Sequence, residues 1–123
     1  MRSKPVYVGL RVKDLDKSIE FYEFLGMKFV GRSKVEATKG EVASLESGTF
    51  IIELNYYERN SPYYCDYTVG EGLDHIAFQV ENLDKALTEA NSKGYKTLLQ
   101  VNGEHSRWAY IEDPNGIWIE LVT

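Results

Sequence analysis

The chain repeats itself. Val12-Lys13-Asp14-Leu15-Asp16-Lys17 returns as Val80-Glu81-Asn82-Leu83-Asp84-Lys85, and Gly26-Met27-Lys28 returns as Gly94-Tyr95-Lys96, both displaced by 68 positions. Ile52-Glu53-Leu54 returns as Ile119-Glu120-Leu121, displaced by 67. A period of this size is a whole folding module and not one turn of a solenoid. The chain therefore reads as two copies of one unit packed around a shared cleft. A polar residue placed equivalently in both copies can then converge on one point.

Each copy carries the same order of signals. Val6, Val8, Leu10 and Val12 alternate with Tyr7, Gly9 and Arg11, the period of a strand with two chemically different faces. Asp14 can cap a following helix with Leu15, Ile19 and Tyr22 on one side and Leu25 nearby, ended by Gly26. Three further strands are predicted near 27–33, 40–46 and 49–56, with Ser47-Gly48 turning between the last two. In the second copy Ile76, Phe78 and Val80 alternate with His75, Ala77 and Gln79. Asn82 can cap a helix with Leu83, Ala86, Leu87 and Ala90 inward, ended by Gly94. Strands follow near 95–101, 106–112 and 117–122, and Asp113-Pro114-Asn115-Gly116 is a turn, since Pro presets one dihedral and Gly or Asn tolerates positive φ. The class is α+β. One domain is expected, made of pseudo-repeats at about 5–57 and 73–123 and joined by a tyrosine-rich loop over 58–71 whose length suits a functional loop.

Composition excludes several classes. With 123 residues, 43% hydrophobic and 27% charged, the chain can bury a globular core. A net charge of −5 argues against nucleic acid, because a phosphate-binding surface carries excess Lys and Arg. No apolar run approaches the roughly 20 residues of a membrane helix. Met1-Arg2-Ser3-Lys4-Pro5 is not followed by the apolar stretch of a signal peptide, and the lone Cys65 cannot form an internal disulfide. The cytoplasm is the expected compartment.

The period-two rule also sorts the chemistry. Ile51, Glu53 and Asn55 share one strand face, and Trp118, Glu120 and Val122 share another, while Ile117, Ile119 and Leu121 form an apolar stripe. If the apolar stripes pack under the helices, the opposite face carries Tyr7, Arg11, Glu53, Asn55, His75, Gln79 and Glu120. One His and two carboxylates suit a divalent metal such as Zn, Ni, Mn or Fe(II), with positions left open for water or substrate. The bland reading is a solvated sheet face and a structural histidine. The equivalent placement of Glu53 and Glu120 weighs against it.

Leu10-Arg11-Val12-Lys13-Asp14-Leu15-Asp16-Lys17-Ser18-Ile19-Glu20-Phe21-Tyr22, the strand Asp74-His75-Ile76-Ala77-Phe78 and the closing Glu112-Asp113-Pro114-Asn115-Gly116-Ile117-Trp118-Ile119-Glu120-Leu121 resemble the vicinal oxygen chelate superfamily. That group includes glyoxalase I, methylmalonyl-CoA epimerase, extradiol dioxygenases, and fosfomycin and bleomycin resistance proteins. The resemblance implies tandem βαβββ modules forming a cupped mixed sheet with helices outside. It also implies one divalent metal ion held by Glu53, His75 and Glu120, with Tyr7 at a fourth position where the family usually has His or Gln. Tyr7 could bind as phenolate, hydrogen-bond a metal water, or fill space. Arg11 matches the arginine that glyoxalase I directs at the glutathione carboxylate. Tyr57 replaces a common asparagine there, and Asn55, Gln79 and Trp118 are further substrate-binding candidates. The implied chemistry is a metal-dependent lyase or isomerase that stabilises an enediolate, with Glu120 or Glu53 moving the proton. Homodimers are common in the family.

Three rival readings remain. Extradiol dioxygenases need a second His, and His105 lies in a turn-like Gly-Glu-His-Ser stretch. Fosfomycin-type thiol transfer usually keeps a His at the position of Tyr7. A metal-free binding module of the bleomycin-resistance kind would use Tyr56, Tyr57, Tyr63, Tyr64, Tyr67, Trp108 and Trp118 as an aromatic trap, a set that equally suits core or dimer packing. Cys65, without a basic neighbour in sequence, reads as inert.

Overall fold

A computed structural model describes residues 1–2, 5–66, 68–69, 71, 73 and 75–123. Tyr67 and Asp74, both used in the sequence reading, lie outside the described residues. The chain divides into two compact units, Met1–Tyr67 and Thr68–Thr123. Both have the order strand, helix, three strands: β1 (Val8–Arg11), α1 (Leu15–Phe24), β2 (Lys28–Val35), β3 (Gly40–Ser47) and β4 (Phe50–Tyr57), then β5 (His75–Gln79), α2 (Leu83–Ser92), β6 (Thr97–Asn102), β7 (Arg107–Glu112) and β8 (Trp118–Val122). A single 3-10 turn, Glu36–Thr38, joins β2 to β3. Among the described residues no helix is long and apolar enough to cross a membrane.

The first unit is a four-stranded mixed sheet in the order β1-β4-β3-β2, and the second is the same arrangement, β5-β8-β7-β6. In each, the first strand pairs in parallel with the last, and the other pairs are antiparallel. A parallel pair needs a crossover, which α1 and the strands after it supply. The α+β class and the twofold βαβββ order predicted from the sequence are those observed.

The local chemistry is repeated as closely as the topology. Asp14 accepts the Lys17 N–H at 3.0 Å, and Asn82 accepts the Lys85 N–H at 3.0 Å. These side chains satisfy an amide that the first helical turn leaves without a partner. Both helices end in the same left-handed device. Gly26 has φ +96° and Gly94 φ +89°. Gly26 and Met27 donate back to Glu23 and Tyr22, and Gly94 and Tyr95 to Asn91 and Ala90, the Schellman pairing.

The helices cover one face of each sheet. α1 packs on β3 and β4, above buried Ala43, Leu45, Ile52 and Leu54. α2 packs on β7 and β8, above Ala109, Ile111, Ile119 and Leu121. Two details differ from the sequence reading. The buried stripe of α1 is Leu15, Ser18, Phe21 and Tyr22, while Ile19 is only half-buried. The helix is rotated slightly so that the Phe21 and Tyr22 rings, edge-to-face at 5.1 Å, fill the interior, and rings bury more area than one Ile. In the first strand only Leu10 and Val12 are buried, and Val6 and Val8 are exposed. Ladder pairing with β4 begins at Val8↔Ile52, so Val6 precedes the sheet.

The Asp113–Gly116 turn is a buried polar knot. Asp113 Oδ1 accepts the backbone N–H of Asn115 and of Ile117, each at 2.8 Å, and its Oδ2 accepts the Asn115 amide at 2.9 Å. Both side chains are nearly inaccessible. Gly116 has φ +85°, and a Cβ there would stand 2.7 Å from Val69 Cγ2, so the position requires glycine.

Candidate functional site

Each sheet has an open face, turned away from its helix. On the second unit, β8 directs Trp118, Glu120 and Val122 to that face, because Ile119 and Leu121 occupy the buried one. Register places Ala77 beside Glu120 and His75 beside Trp118 on β5, and Tyr110 beside Glu120 on β7. His75 Nε2 stands 3.2 Å from Glu120 Oε2, with the side chains about one third and one fifth exposed. An imidazole nitrogen and a carboxylate oxygen at this distance can share a proton or grip one cation.

Rings flank this pair. The His75 and Tyr110 ring centres are 5.4 Å apart, Tyr110 and Trp118 5.5 Å, and Trp108 and Tyr110 5.2 Å. Tyr110 was not among the sequence candidates. The predicted strand over 106–112 already contained the signal, since Trp108, Tyr110 and Glu112 share a face two residues apart. What was missing was the register that brings Tyr110 beside Glu120.

On the first unit, Glu53 is half-buried on the open face of β4, between Gly9 of β1 and Ser44 of β3. Comparing the ladders gives the equivalence directly: Gly9↔Glu53 corresponds to Ala77↔Glu120, so two residues earlier Tyr7 corresponds to His75. Tyr7 is exposed and precedes β1. Asn55 neighbours Arg11 and donates its side-chain amide to the Glu53 carbonyl at 3.3 Å.

Arg11 has a defined structural role. Its Nη1 donates to the Tyr63 carbonyl at 2.8 Å, and its guanidinium lies 4.5 Å from the centre of the Tyr57 ring, which contacts Tyr63 at 6.4 Å. The replacement of asparagine by Tyr57 therefore gives Arg11 a stacking partner, and together they pin the loop that follows β4. Ser61 adds a bond from its hydroxyl to the Thr38 carbonyl. Behind this clamp is a cavity of about 320 Å³ lined by Arg11, Lys13, Arg59, Tyr56, Tyr57, Tyr64, Cys65 and others. The Tyr64 hydroxyl donates to Asp66 at 3.0 Å, and that bond raises its pKa above the ordinary phenol value.

The structure brings His75, Glu120 and Trp118 onto one face of the second unit, where Gln79 also points outward. It places Glu53, Asn55, Arg11 and Tyr57 in the first unit. Among the described residues no group of three or more His, Cys, Asp or Glu side chains is close enough to hold a metal ion. His105 is almost fully exposed, its nearest ionic neighbour being Glu104 at 4.0 Å.

Comparison with known proteins agrees with the fold. Residues 4–121 match the family model described as Glyoxalase/Bleomycin resistance protein/Dioxygenase superfamily. The chain is 33% identical to the lactoylglutathione lyase of Escherichia coli O157:H7 over 95% of this chain and 90% of that one. It is 32% identical to the lactoylglutathione lyase of Arabidopsis thaliana over 95% of this chain, of which it spans only 43%. The chain thus covers less than half of several plant and fission-yeast relatives. Among solved structures, a glyoxalase family protein of Bacillus cereus superposes with a TM-score of 0.84 at 25% identity, covering 99% of this chain and 94% of that one. The trypanothione-dependent glyoxalase I of Leishmania major superposes at 0.79 and 29%, covering 99% and 87%. The chain belongs to the glyoxalase/bleomycin resistance protein/dioxygenase superfamily.

Proposed function

We propose that the protein is a metal-dependent lyase or isomerase of the glyoxalase I kind, acting on a small substrate with two neighbouring oxygens. The observation that carries this is the His75–Glu120 pair on an open sheet face, with Glu53 at the repeat-equivalent position of the other unit. The relatives named lactoylglutathione lyase support the reaction class. The donor set of one imidazole and two carboxylates fits Zn, Ni, Mn or Fe(II). His75, Glu120 and Glu53 would hold the ion, and Tyr7 would stand at the fourth position. A divalent cation held there would supply Lewis-acid polarisation and offset negative charge developing on the substrate oxygens. Glu120, and next to it in preference Glu53, takes a proton from one substrate carbon on a carboxylate oxygen and returns it to the adjacent carbon, so no electrons are lost. Arg11, Asn55, Tyr57, Gln79 and Trp118 orient the substrate.

The same reading makes the two pseudo-repeats, 5–57 and 73–123, one domain of a cytoplasmic homodimer. Elemental analysis of protein purified without added metal is the test, alongside assay with the methylglyoxal–glutathione hemithioacetal. Near-stoichiometric transition metal, lost in His75→Ala and Glu120→Gln, is expected. Wild-type protein that carries and takes up no metal, yet binds an aromatic compound at micromolar concentration, would assign a metal-free binding module instead.

A further inference from the structure

Tyr110 is the hub of a ring cluster: the rings of Trp108, Trp118 and His75 each lie against it, with centres 5.2–5.5 Å away. The chain has two tryptophans in all, and both are here. The core does not require them. Ile117, Ile119 and Leu121 are buried on the opposite side of β8, whereas Trp118 is 37% exposed and Trp108 and Tyr110 are half-buried.

The repeat supplies a control. The ladders make Val42, Ser44 and Ile51 of the first unit the counterparts of Trp108, Tyr110 and Trp118. The same fold is thus built there with no ring at any of the three positions. The rings also border the His75–Glu120 pair, the polar handle of the face. An aromatic floor beside two convergent polar groups suits a small ligand with a flat apolar body and a polar head.

We propose that this ring cluster around Tyr110 is a stacking platform for an aryl group on the substrate, so that the substrate class is an aryl-substituted compound with vicinal oxygens. The inference rests on the lyase reading above, and its test separates the two. Benzohydroxamate and acetohydroxamate share one chelating head and differ only in phenyl against methyl. Each is titrated into the full chain with Mn²⁺ present, followed by calorimetry and by fluorescence of the two tryptophans.

Benzohydroxamate is expected to bind roughly tenfold more tightly, the scale of one good ring stack, and to quench the fluorescence. Tyr110→Leu and Trp118→Leu should bring the two ligands within about twofold while Mn²⁺ affinity stays at the wild-type value, and Trp118→Phe should restore most of the preference. Equal affinities in the wild type, or a preference untouched in both leucine variants, overturn the platform and leave the lyase reading standing. If none of Mn²⁺, Zn²⁺, Ni²⁺ and Fe²⁺ binds, the lyase reading fails. The metal-free titration then decides the platform, since quenching by benzohydroxamate that depends on Trp118 supports it and no quenching overturns it. Loss of a dimer in Trp118→Leu without any ring preference in the wild type would assign this face to a second copy of the chain and also overturn it.

Discussion

At the scale of single residues, the proposed chemistry turns on the 3.2 Å approach of His75 to Glu120. Glu120→Gln keeps the shape of the side chain and removes its basicity. If Glu120 moves the proton, kcat for the hemithioacetal should fall about 10²–10⁴-fold, and Glu53→Gln should fall less. The reverse ranking would assign the proton to Glu53. Arg11 acts on a different quantity. Its planar guanidinium both donates to the Tyr63 carbonyl and lies over Tyr57, a combination that lysine cannot reproduce. Arg11→Lys should therefore raise amide exchange in residues 58–66 with little change at His75, measurable by hydrogen exchange. In the polar knot, Asp113→Ala removes three hydrogen bonds from a buried site and should cost about 3 kcal/mol, read from urea unfolding.

At the scale of elements, each helix is tied to its sheet by an ion pair from an equivalent first-turn aspartate, with the arginine on a different strand in each unit. Asp16 and Asp84 are equivalent first-turn residues. Asp16 meets Arg32 of β2, which also holds Glu41 of β3 through two bonds at 2.8 and 3.1 Å. Asp84 meets Arg107 of β7 through bonds at 2.8 and 3.2 Å. Hydrogen bonding from Arg32 holds the Glu41 carboxyl below the usual carboxylate range, and Arg107 does the same to Asp84. A carboxyl whose folded pKa is depressed contributes stability above its ordinary value, and that contribution is lost as pH falls through the folded value. Wild-type Tm should therefore fall as pH drops below the ordinary carboxylate range of about 4. Glu41→Gln and Asp84→Asn should be less stable than wild type at pH 7 and converge with it at the acid end. The pairs are exposed, so salt should shrink the difference. The Asn82 cap carries no ionisable group: Asn82→Ala should cost about 1 kcal/mol, the usual loss when a helix start is left with an unpaired amide.

At the scale of the whole molecule, the architecture is one plan used twice, and the proposed site draws on the differences between the copies. His75 has Tyr7 as its counterpart, Tyr110 has Ser44, and Trp118 has Ile51. The plan tolerates these exchanges because all six positions lie on open faces, where no core volume has to be matched. The proposed homodimer is checked by sedimentation equilibrium, with two chains expected. A monomer that binds stoichiometric metal would rule out sites completed across chains.

The element order, both caps, both glycine helix ends and the Asp113–Gly116 turn were legible in the sequence, because each depends on a few adjacent residues and a fixed period. The pairing of Glu53 with Glu120 as equivalents was legible too, since the repeat carries it. Three things were decided by tertiary structure. The rotation of α1 toward Phe21 over Ile19 follows from packing volume, which periodicity does not measure. The clamp of Arg11 on Tyr57 and the Tyr63 carbonyl joins residues 46 and 52 positions apart through a loop of irregular backbone. The approach of His75 to Glu120, with Tyr110 alongside, depends on the register of β8 against β5 and β7, and register joins strands far apart in sequence, so neither residue's own neighbours reveal it.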